Sequence, residues 1–110
     1  MNISILGIGY VGLVTGLCFA EKGHKVLAYD IDKKKINQIQ NKQLTIYEPN
    51  LKKLLNKNIN KSFYCTNNLK NTILNSEITF VCVPTPYSKK IFNLKFIKAA
   101  SIDIAKVLNI

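Results

Sequence analysis

The chain has 110 residues, of which 47% are hydrophobic, so it suits a single small domain with a buried core. Its net charge is +10, yet every one of its 16 basic residues is lysine; arginine is the residue that reads bases and phosphates bidentately, so its absence argues against nucleic-acid recognition. The three cysteines, Cys18, Cys65 and Cys82, are odd in number and widely spaced, which favours reduced thiols in a cytoplasmic protein over a disulfide framework or a metal site.

The first thirty residues predict a strand, a helix and a second strand. Asn2–Leu6 and Lys25–Asp30 are short β-rich runs, and Tyr10–Lys22 between them reads as a helix that ends at a left-handed cap, Gly23. The apolar face of this helix is predicted to carry Val11, Val14, Leu17, Cys18 and Phe19. Met1–Ala20 has no charged side chain, but its glycines interrupt it and no lysine precedes it, so neither a membrane span nor a secretory leader is expected.

The alternation of helices and strands continues to the end of the chain. The segments, in order, are a polar helix at Asp32–Asn41, a break at Thr45–Pro49, a short helix at Asn50–Asn56, a strand at Ser62–Cys65, a helix or turn at Leu69–Leu74, a strand at Glu77–Val83, a polar loop and a helix at Leu94–Leu108. Glu77–Val83 is almost continuously apolar, as a strand buried on both faces would be. Cys18 and Cys82 are both predicted to lie in the core.

This pattern predicts an α/β fold, a Rossmann-type doubly wound parallel sheet with strand order 3-2-1-4, in one domain over residues 1–110. A complete sheet of this type has strands beyond the fourth. Without them, Glu77–Val83 would be an exposed apolar edge, which native domains avoid. The domain is therefore predicted to be partial and incomplete at its C-terminal side.

The string Gly7-Ile8-Gly9-Tyr10-Val11-Gly12 lies where the first strand meets the first helix, and it predicts a phosphate-binding turn. Gly7 permits the tight turn, Gly9 lets a pyrophosphate approach the backbone, and Gly12 lets the helix pack closely on the sheet. The phosphates would lie at the helix N-terminus, where backbone N–H groups and the helix dipole favour anions.

Asp30 ends the second strand eighteen residues after Gly12, close to the spacing expected for an acid that binds the adenosine ribose. A carboxylate there would repel a 2′-phosphate and favour NAD over NADP, but Lys33–Lys35 lie near enough to weaken this exclusion, so use of both cofactors stays open. Asp30 could instead cap the next helix, a role that Asp32 could also fill. Thr85, after the fourth strand, could contact the cofactor or simply form a rigid turn between two prolines.

Together these residues resemble the UDP-glucose/GDP-mannose dehydrogenase family, whose members oxidise C6 of a nucleotide sugar. The resemblance rests on Gly7–Gly16, Glu21–Val26, Tyr29–Asp32 with Lys35, Ile46–Leu51 and Val83–Pro86. It implies a two-step oxidation that uses two NAD molecules and a cysteine-linked intermediate, in an enzyme that is a homodimer at full length. The cofactor would be bound by Gly7, Gly9, Tyr10, Val11, Gly12, Asp30, Lys35 and Thr85.

Two residues depart from the family pattern. Asn50 stands where Gly usually follows the Glu-Pro pair, and asparagine tolerates the left-handed backbone that such a glycine adopts. Pro84 replaces the Gly common in UDP-glucose enzymes and is more similar to N-acetylhexosamine-type members, so the sugar stays open. No cysteine matches the family nucleophile and His24 has no acid partner, so no catalytic residue is assigned; a truncated, inactive NAD-binding module is the alternative.

Overall fold

The computed structural model describes residues 1–109, in which strands and helices alternate as predicted. The elements are β1 (Asn2–Leu6), α1 (Tyr10–Glu21), β2 (Lys25–Tyr29), α2 (Lys33–Gln40), α3 (Leu51–Asn58), β3 (Phe63–Thr66), α4 (Leu69–Leu74), β4 (Ile78–Val81), β5 (Tyr87–Ser88), β6 (Ile91–Phe92) and α5 (Lys95–Leu108). Gly23 has a φ of +97° just after α1, which confirms it as the left-handed end of this helix.

The four longer strands form one parallel sheet in the order β3-β2-β1-β4, which confirms the predicted topology. In the centre of the sheet, Ile5 lies opposite Ala28 on one side and Phe80 on the other. Because the strands are parallel and in this register, the carboxyl ends of β1, β2 and β4 meet at one edge. The residues that follow those three strands are therefore neighbours.

The face of α1 that packs on the sheet differs from the predicted one. Its buried residues are Gly12, Leu13, Gly16, Leu17 and Ala20. Val11 is 62% exposed and Cys18 is also exposed, so the prediction of Cys18 in the core is wrong. The physical reason is that α1 is apolar on every side, so hydrophobic spacing does not select a face. The buried face is instead selected by the small residues that let the helix approach the sheet closely, since a Cβ on Gly16 would lie 2.8 Å from the Phe63 ring.

The prediction that the fourth strand is buried on both faces is also wrong. Ile78 and Val81 are each more than 40% exposed, although the Phe80 ring packs 5.2 Å from that of Phe19. The reason is that β4 is at the end of the strand order, and α5, which follows it in the chain, has no buried residue. The exposed apolar edge anticipated for an incomplete sheet is thus present.

The segment predicted as a polar loop contains a small antiparallel hairpin, in which Tyr87 pairs with Phe92 and Ser88 with Ile91. Its two turn residues, Lys89 and Lys90, both have a positive φ, of 49° and 62°. A two-residue hairpin turn of type I′ requires a positive φ at both central residues, and its usual sequences are Asn-Gly and Asp-Gly. The Lys-Lys pair carries no such signal.

Asn50 has the left-handed backbone expected from the family pattern, with φ 67° and ψ 0°, directly before α3. Its side chain makes no capping hydrogen bond, so a substitution there changes mainly the backbone energy. We expect Asn50→Ala to lower the free energy of unfolding by about 1 kcal/mol and Asn50→Gly to leave it unchanged within a few tenths. Urea unfolding measures both changes, with Lys52→Ala on the exposed side of α3 as the control. An alanine variant as stable as the glycine variant would contradict the expectation.

Candidate functional site

The turn between β1 and α1 is fixed by contacts with both neighbouring strands. The N–H of Gly7 donates to the carbonyl of Tyr29 over 2.8 Å. Gly7 has a φ of +100°, and a Cβ there would lie 2.7 Å from the backbone oxygen of Cys82. Only glycine fits this position, because the turn is left-handed and the end of β4 lies directly against it.

The other two glycines of the turn differ sharply in their surroundings. A Cβ on Gly12 would lie 1.8 Å from the carbonyl oxygen of Gly7, so the first turn of α1 touches the backbone of the strand end. A Cβ on Gly9 would meet no atom within 4 Å. Gly12 is thus required by packing within the protein, whereas the protein itself places no steric demand on Gly9. The space in front of Gly9 is open to a ligand.

Asp30 is buried at the end of β2, and backbone N–H groups hold both oxygens of its carboxylate. The N–H of Ile8, in the glycine turn, donates to Oδ2 over 2.9 Å, and the N–H of Asp32 donates to Oδ1 over 2.8 Å. Asp32 caps α2 by accepting from the N–H of Lys34, so the helix-cap role belongs to Asp32. Each carboxylate oxygen of Asp30 retains a lone pair for a hydroxyl donor, and the carboxylate is already oriented.

A cavity of about 280 Å³ lies beside Asp30 at the carboxyl end of the sheet. Gly7, Asp30 and Lys35 line it, together with the residues that follow β4, Val83 and Pro84. Most of the remaining wall is apolar. These further lining residues are Leu6, Tyr29, Ile31, Asp32, Leu69, Phe96, Ala99, Ala100 and Asp103. The combination of an apolar wall and a few polar groups is typical of a small-molecule pocket at the strand ends of an α/β sheet.

The structure brings most of the predicted cofactor residues to this edge of the sheet, but not all to the cavity. Tyr10 and Val11 begin α1 and are exposed. Lys35 is exposed at the cavity rim. Thr85 is exposed and does not line the cavity, so its contact with a cofactor remains a prediction.

The Tyr10 hydroxyl donates a hydrogen bond of 2.5 Å to Oε2 of Glu48, which lies in the loop before α3. This contact joins the start of α1 to a loop that is distant in the sequence. The hydrogen bond to Glu48 raises the pKa of Tyr10 above its ordinary value, with smaller contributions from desolvation and the charge of Glu48. The physical cause is that ionised Tyr10 would lose its donor proton and face a carboxylate.

We expect Glu48→Gln to lower the pKa of Tyr10 toward its ordinary value. The hydrogen bond to Glu48 requires protonated Tyr10. It is therefore fully formed at a pH below the ordinary pKa of tyrosine, and it is lost as the pH rises through the raised pKa of Tyr10. An NMR titration of ring-labelled tyrosines measures this pKa, and Tyr10→Phe identifies the resonance. An unchanged Tyr10 pKa in Glu48→Gln would show that Glu48 does not hold the hydroxyl in solution.

The environments of Cys65 and Cys82 disfavour the reactive thiolate form. Burial, reinforced by the charge of Asp30, raises the pKa of Cys65 to about 12, and burial also raises that of Cys82. Both thiols are therefore protonated at neutral pH. Residues 1–109 bring together no group of three His, Cys, Asp or Glu side chains that could hold a metal ion. Within the same residues, no helix is both long and apolar enough to cross a membrane.

The sequence left open whether Glu48 approaches the cleft or only shapes its loop, and it gave no indication that Asp103 belongs to the site. Glu48 reaches Tyr10 through the loop before α3, and Asp103 lines the cavity from α5. The sequence carries a partial signal for Glu48, which lies within the family-like segment Ile46–Leu51. Asp103 has none, because only tertiary packing brings the third turn of α5 to the end of β2.

Known proteins of one enzyme family are similar to this chain in sequence. The sequence model of the UDP-glucose/GDP-mannose dehydrogenase family, NAD binding domain, matches residues 1–110. UDP-glucose 6-dehydrogenase TuaD of Bacillus subtilis is 43% identical over 110 residues, which cover 98% of this chain and 24% of that protein. GDP-mannose 6-dehydrogenase of Pseudomonas syringae is 36% identical over 110 residues, covering 98% of this chain and 25% of that protein.

Solved structures show the same fold. The ternary complex of GDP-mannose dehydrogenase from Pseudomonas aeruginosa superposes with a TM-score of 0.91 at 33% identity, over 98% of this chain and 25% of that one. UDP-glucose dehydrogenase from Pyrobaculum islandicum superposes with a TM-score of 0.89 at 27% identity, over 97% of this chain and 25% of that one. The chain thus spans about a quarter of the length of these relatives.

Proposed function

Because this chain belongs to the UDP-glucose/GDP-mannose dehydrogenase family, as its NAD-binding domain, we propose that it is the cofactor-binding part of an enzyme that oxidises C6 of a UDP-sugar. The oxidation is of the type that converts UDP-glucose to UDP-glucuronate. The main support for the proposal is the hydrogen bond between the glycine turn and Asp30, in which the Ile8 N–H donates to the carboxylate. This hydrogen bond lies beside a cavity of about 280 Å³.

The residues of this edge fit a dinucleotide. The open space at Gly9 and the start of α1, which has no acidic residue in its first turn, suit a pyrophosphate. The carboxylate of Asp30 and the ammonium of Lys35 suit the adenosine ribose hydroxyls, and the apolar cavity wall suits the base. When bound, NAD accepts the hydride removed from the sugar; the protein residues described here bind and orient it. Tyr10, Val11 and Thr85 complete the proposed contacts.

One sequence feature supports a UDP-sugar over a GDP-sugar as the substrate of the complete enzyme. With Pro84, the segment Val83–Pro86 is more similar to the N-acetylhexosamine-type members of the family, which keeps a UDP-N-acetylhexosamine within the proposal. A homodimeric assembly and a cytoplasmic location remain predictions for the complete enzyme.

Calorimetric titration of the 110-residue chain with NAD tests the cofactor assignment. We expect one NAD to bind per chain, ADP-ribose to compete with it, and no NADH to form when UDP-glucose is added. Failure to bind NAD would overturn the assignment. Formation of NADH would show that the reacting groups lie within these residues, against the proposal.

The alternative is an inactive NAD-binding module that works without a sugar-binding part. An antibody against this segment, combined with the intact mass of the polypeptide in the source cells, separates the two functions. A polypeptide about four times longer would support the dehydrogenase, and its activity on UDP-glucose, UDP-N-acetylhexosamines and GDP-mannose would identify the sugar. A product near 110 residues would support the module.

A further inference from the structure

The cavity beside Asp30 has an electrostatic character opposite to that of the whole chain. The chain has a net charge of +10 and only six acidic residues, yet three of these six, Asp30, Asp32 and Asp103, line this one cavity. Of the described residues that line it, Lys35 alone is basic. The cavity is therefore a negatively charged region in a positively charged protein. Its charge disfavours an adenosine ribose that carries a 2′-phosphate.

Asp103 lines the cavity from α5, whereas Asp30 lines it from the end of β2. Phe96, Ala99, Ala100 and Asp103 follow the spacing of one helical stripe on α5, and all four line the cavity. Asp103 ends this otherwise apolar stripe. Because it lies in the interior of α5, it has no part in capping a helix start, unlike Asp32, which caps α2.

The charges of Asp30 and Asp103 both affect one side chain of the cavity wall, Tyr29. The hydroxyl of Tyr29, another residue of the cavity wall, has a raised pKa because of burial, then the charge of Asp103, then that of Asp30. The larger of the two charge effects comes from Asp103. Two carboxylates that disfavour a negative charge on the Tyr29 oxygen would also disfavour a dianionic phosphate placed beside it.

We propose that Asp103 is a specificity-determining residue, which acts with Asp30 in the wall of the same cavity to exclude the 2′-phosphate of NADP and so offsets the ammonium of Lys35. This inference rests on the proposed cofactor site. Of the run Lys33–Lys35, Lys35 is the member that lines the cavity, and the carboxylates of Asp30 and Asp103 in the same wall oppose its charge. Selectivity for NAD is thereby shared between the end of β2 and the middle of α5.

The test measures the affinities of the 110-residue chain for NAD and NADP by calorimetry, in the wild type and in Asp103→Asn. We expect the wild type to prefer NAD. In Asp103→Asn, NADP affinity should rise by about three- to tenfold while NAD affinity changes by less than about twofold. The gain should shrink at high salt, because the lost repulsion is electrostatic and Asp103 is exposed.

Ser101→Lys is the matched control, because it changes the net charge by the same amount on an exposed position of α5 that does not line the cavity. An equal gain of NADP affinity in Ser101→Lys, or no gain in Asp103→Asn, would overturn the role of Asp103 while leaving NAD binding intact. Asp103→Glu, which keeps the charge, should retain the wild-type preference. A wild-type chain that binds neither dinucleotide would overturn the cofactor site itself, together with this inference.

Discussion

Substitution of Gly12 by alanine is expected to lower the free energy of unfolding by about 4 kcal/mol or more, the range reached only by severe steric changes. The added methyl carbon would lie 1.8 Å from the Gly7 carbonyl oxygen and 3.1 Å from a side-chain carbon of Ile5. Neither neighbour can yield easily, since Ile5 is fully buried and Gly7 is held by its hydrogen bond to Tyr29. The helix would have to move away from the sheet.

Urea unfolding followed by circular dichroism measures this loss. Domains of this size are stable by only about 5–15 kcal/mol, so the substitution would remove about a quarter or more of the total stability. A loss below about 1 kcal/mol would contradict the close contact between the first turn of α1 and the glycine turn. Gly9→Ala serves as the control, since it adds the same methyl group three residues earlier.

Gly9→Ala is expected to leave the fold intact and to weaken NAD binding by about tenfold or more, equivalent to roughly 1.4 kcal/mol or more. Gly9 has φ −78° and ψ −159°, an extended backbone open to alanine, and no atom lies within 4 Å of the added carbon. The free energy of unfolding of the Gly9→Ala variant should fall by no more than about 1 kcal/mol, the cost of alanine at a helix N-cap. The methyl group instead occupies the space proposed for the pyrophosphate.

Calorimetry with NAD and with ADP-ribose measures this effect, and both ligands should lose affinity equally because both contain the pyrophosphate. Adenosine, which lacks phosphates, should be unaffected and reports that the cavity beside Asp30 is preserved. Unchanged NAD affinity in a folded Gly9→Ala chain would show that no phosphate approaches this backbone. The two glycine variants thus separate a packing requirement from a ligand requirement within one motif.

The topology and the glycine turn were predictable because their signals are local. Gly7, Gly9 and Gly12 lie within six residues, and the distance to Asp30 follows from one helix and one strand. Alternation of apolar strands with helices then allowed few topologies, and the order β3-β2-β1-β4 was correctly inferred. The left-handed backbone at Asn50 followed equally from the residue type that the family uses there.

Features set by tertiary packing were not predictable in the same way. The buried face of α1 depends on where its small residues let the sheet approach, as at Gly16 against Phe63. Asp103 and Glu48 reach the site only because α5 and the loop before α3 fold back onto the strand ends. The hairpin turn at Lys89 was not predicted, because lysine rarely adopts the positive φ that this turn requires.

The pairing of β1 with β4 also has a kinetic consequence. Ser4 and Thr79, whose hydroxyls are 2.6 Å apart across these strands, are separated by 75 positions in the chain, whereas β1 and β2 are joined by a single helix. Loop-closure entropy therefore favours assembly of β1, α1 and β2 first and docking of β4 last. Since the end of β4 lies against Gly7, the glycine turn between β1 and α1 takes its final shape only in that last step. During refolding, recovery of NAD binding should lag behind the recovery of helical circular dichroism.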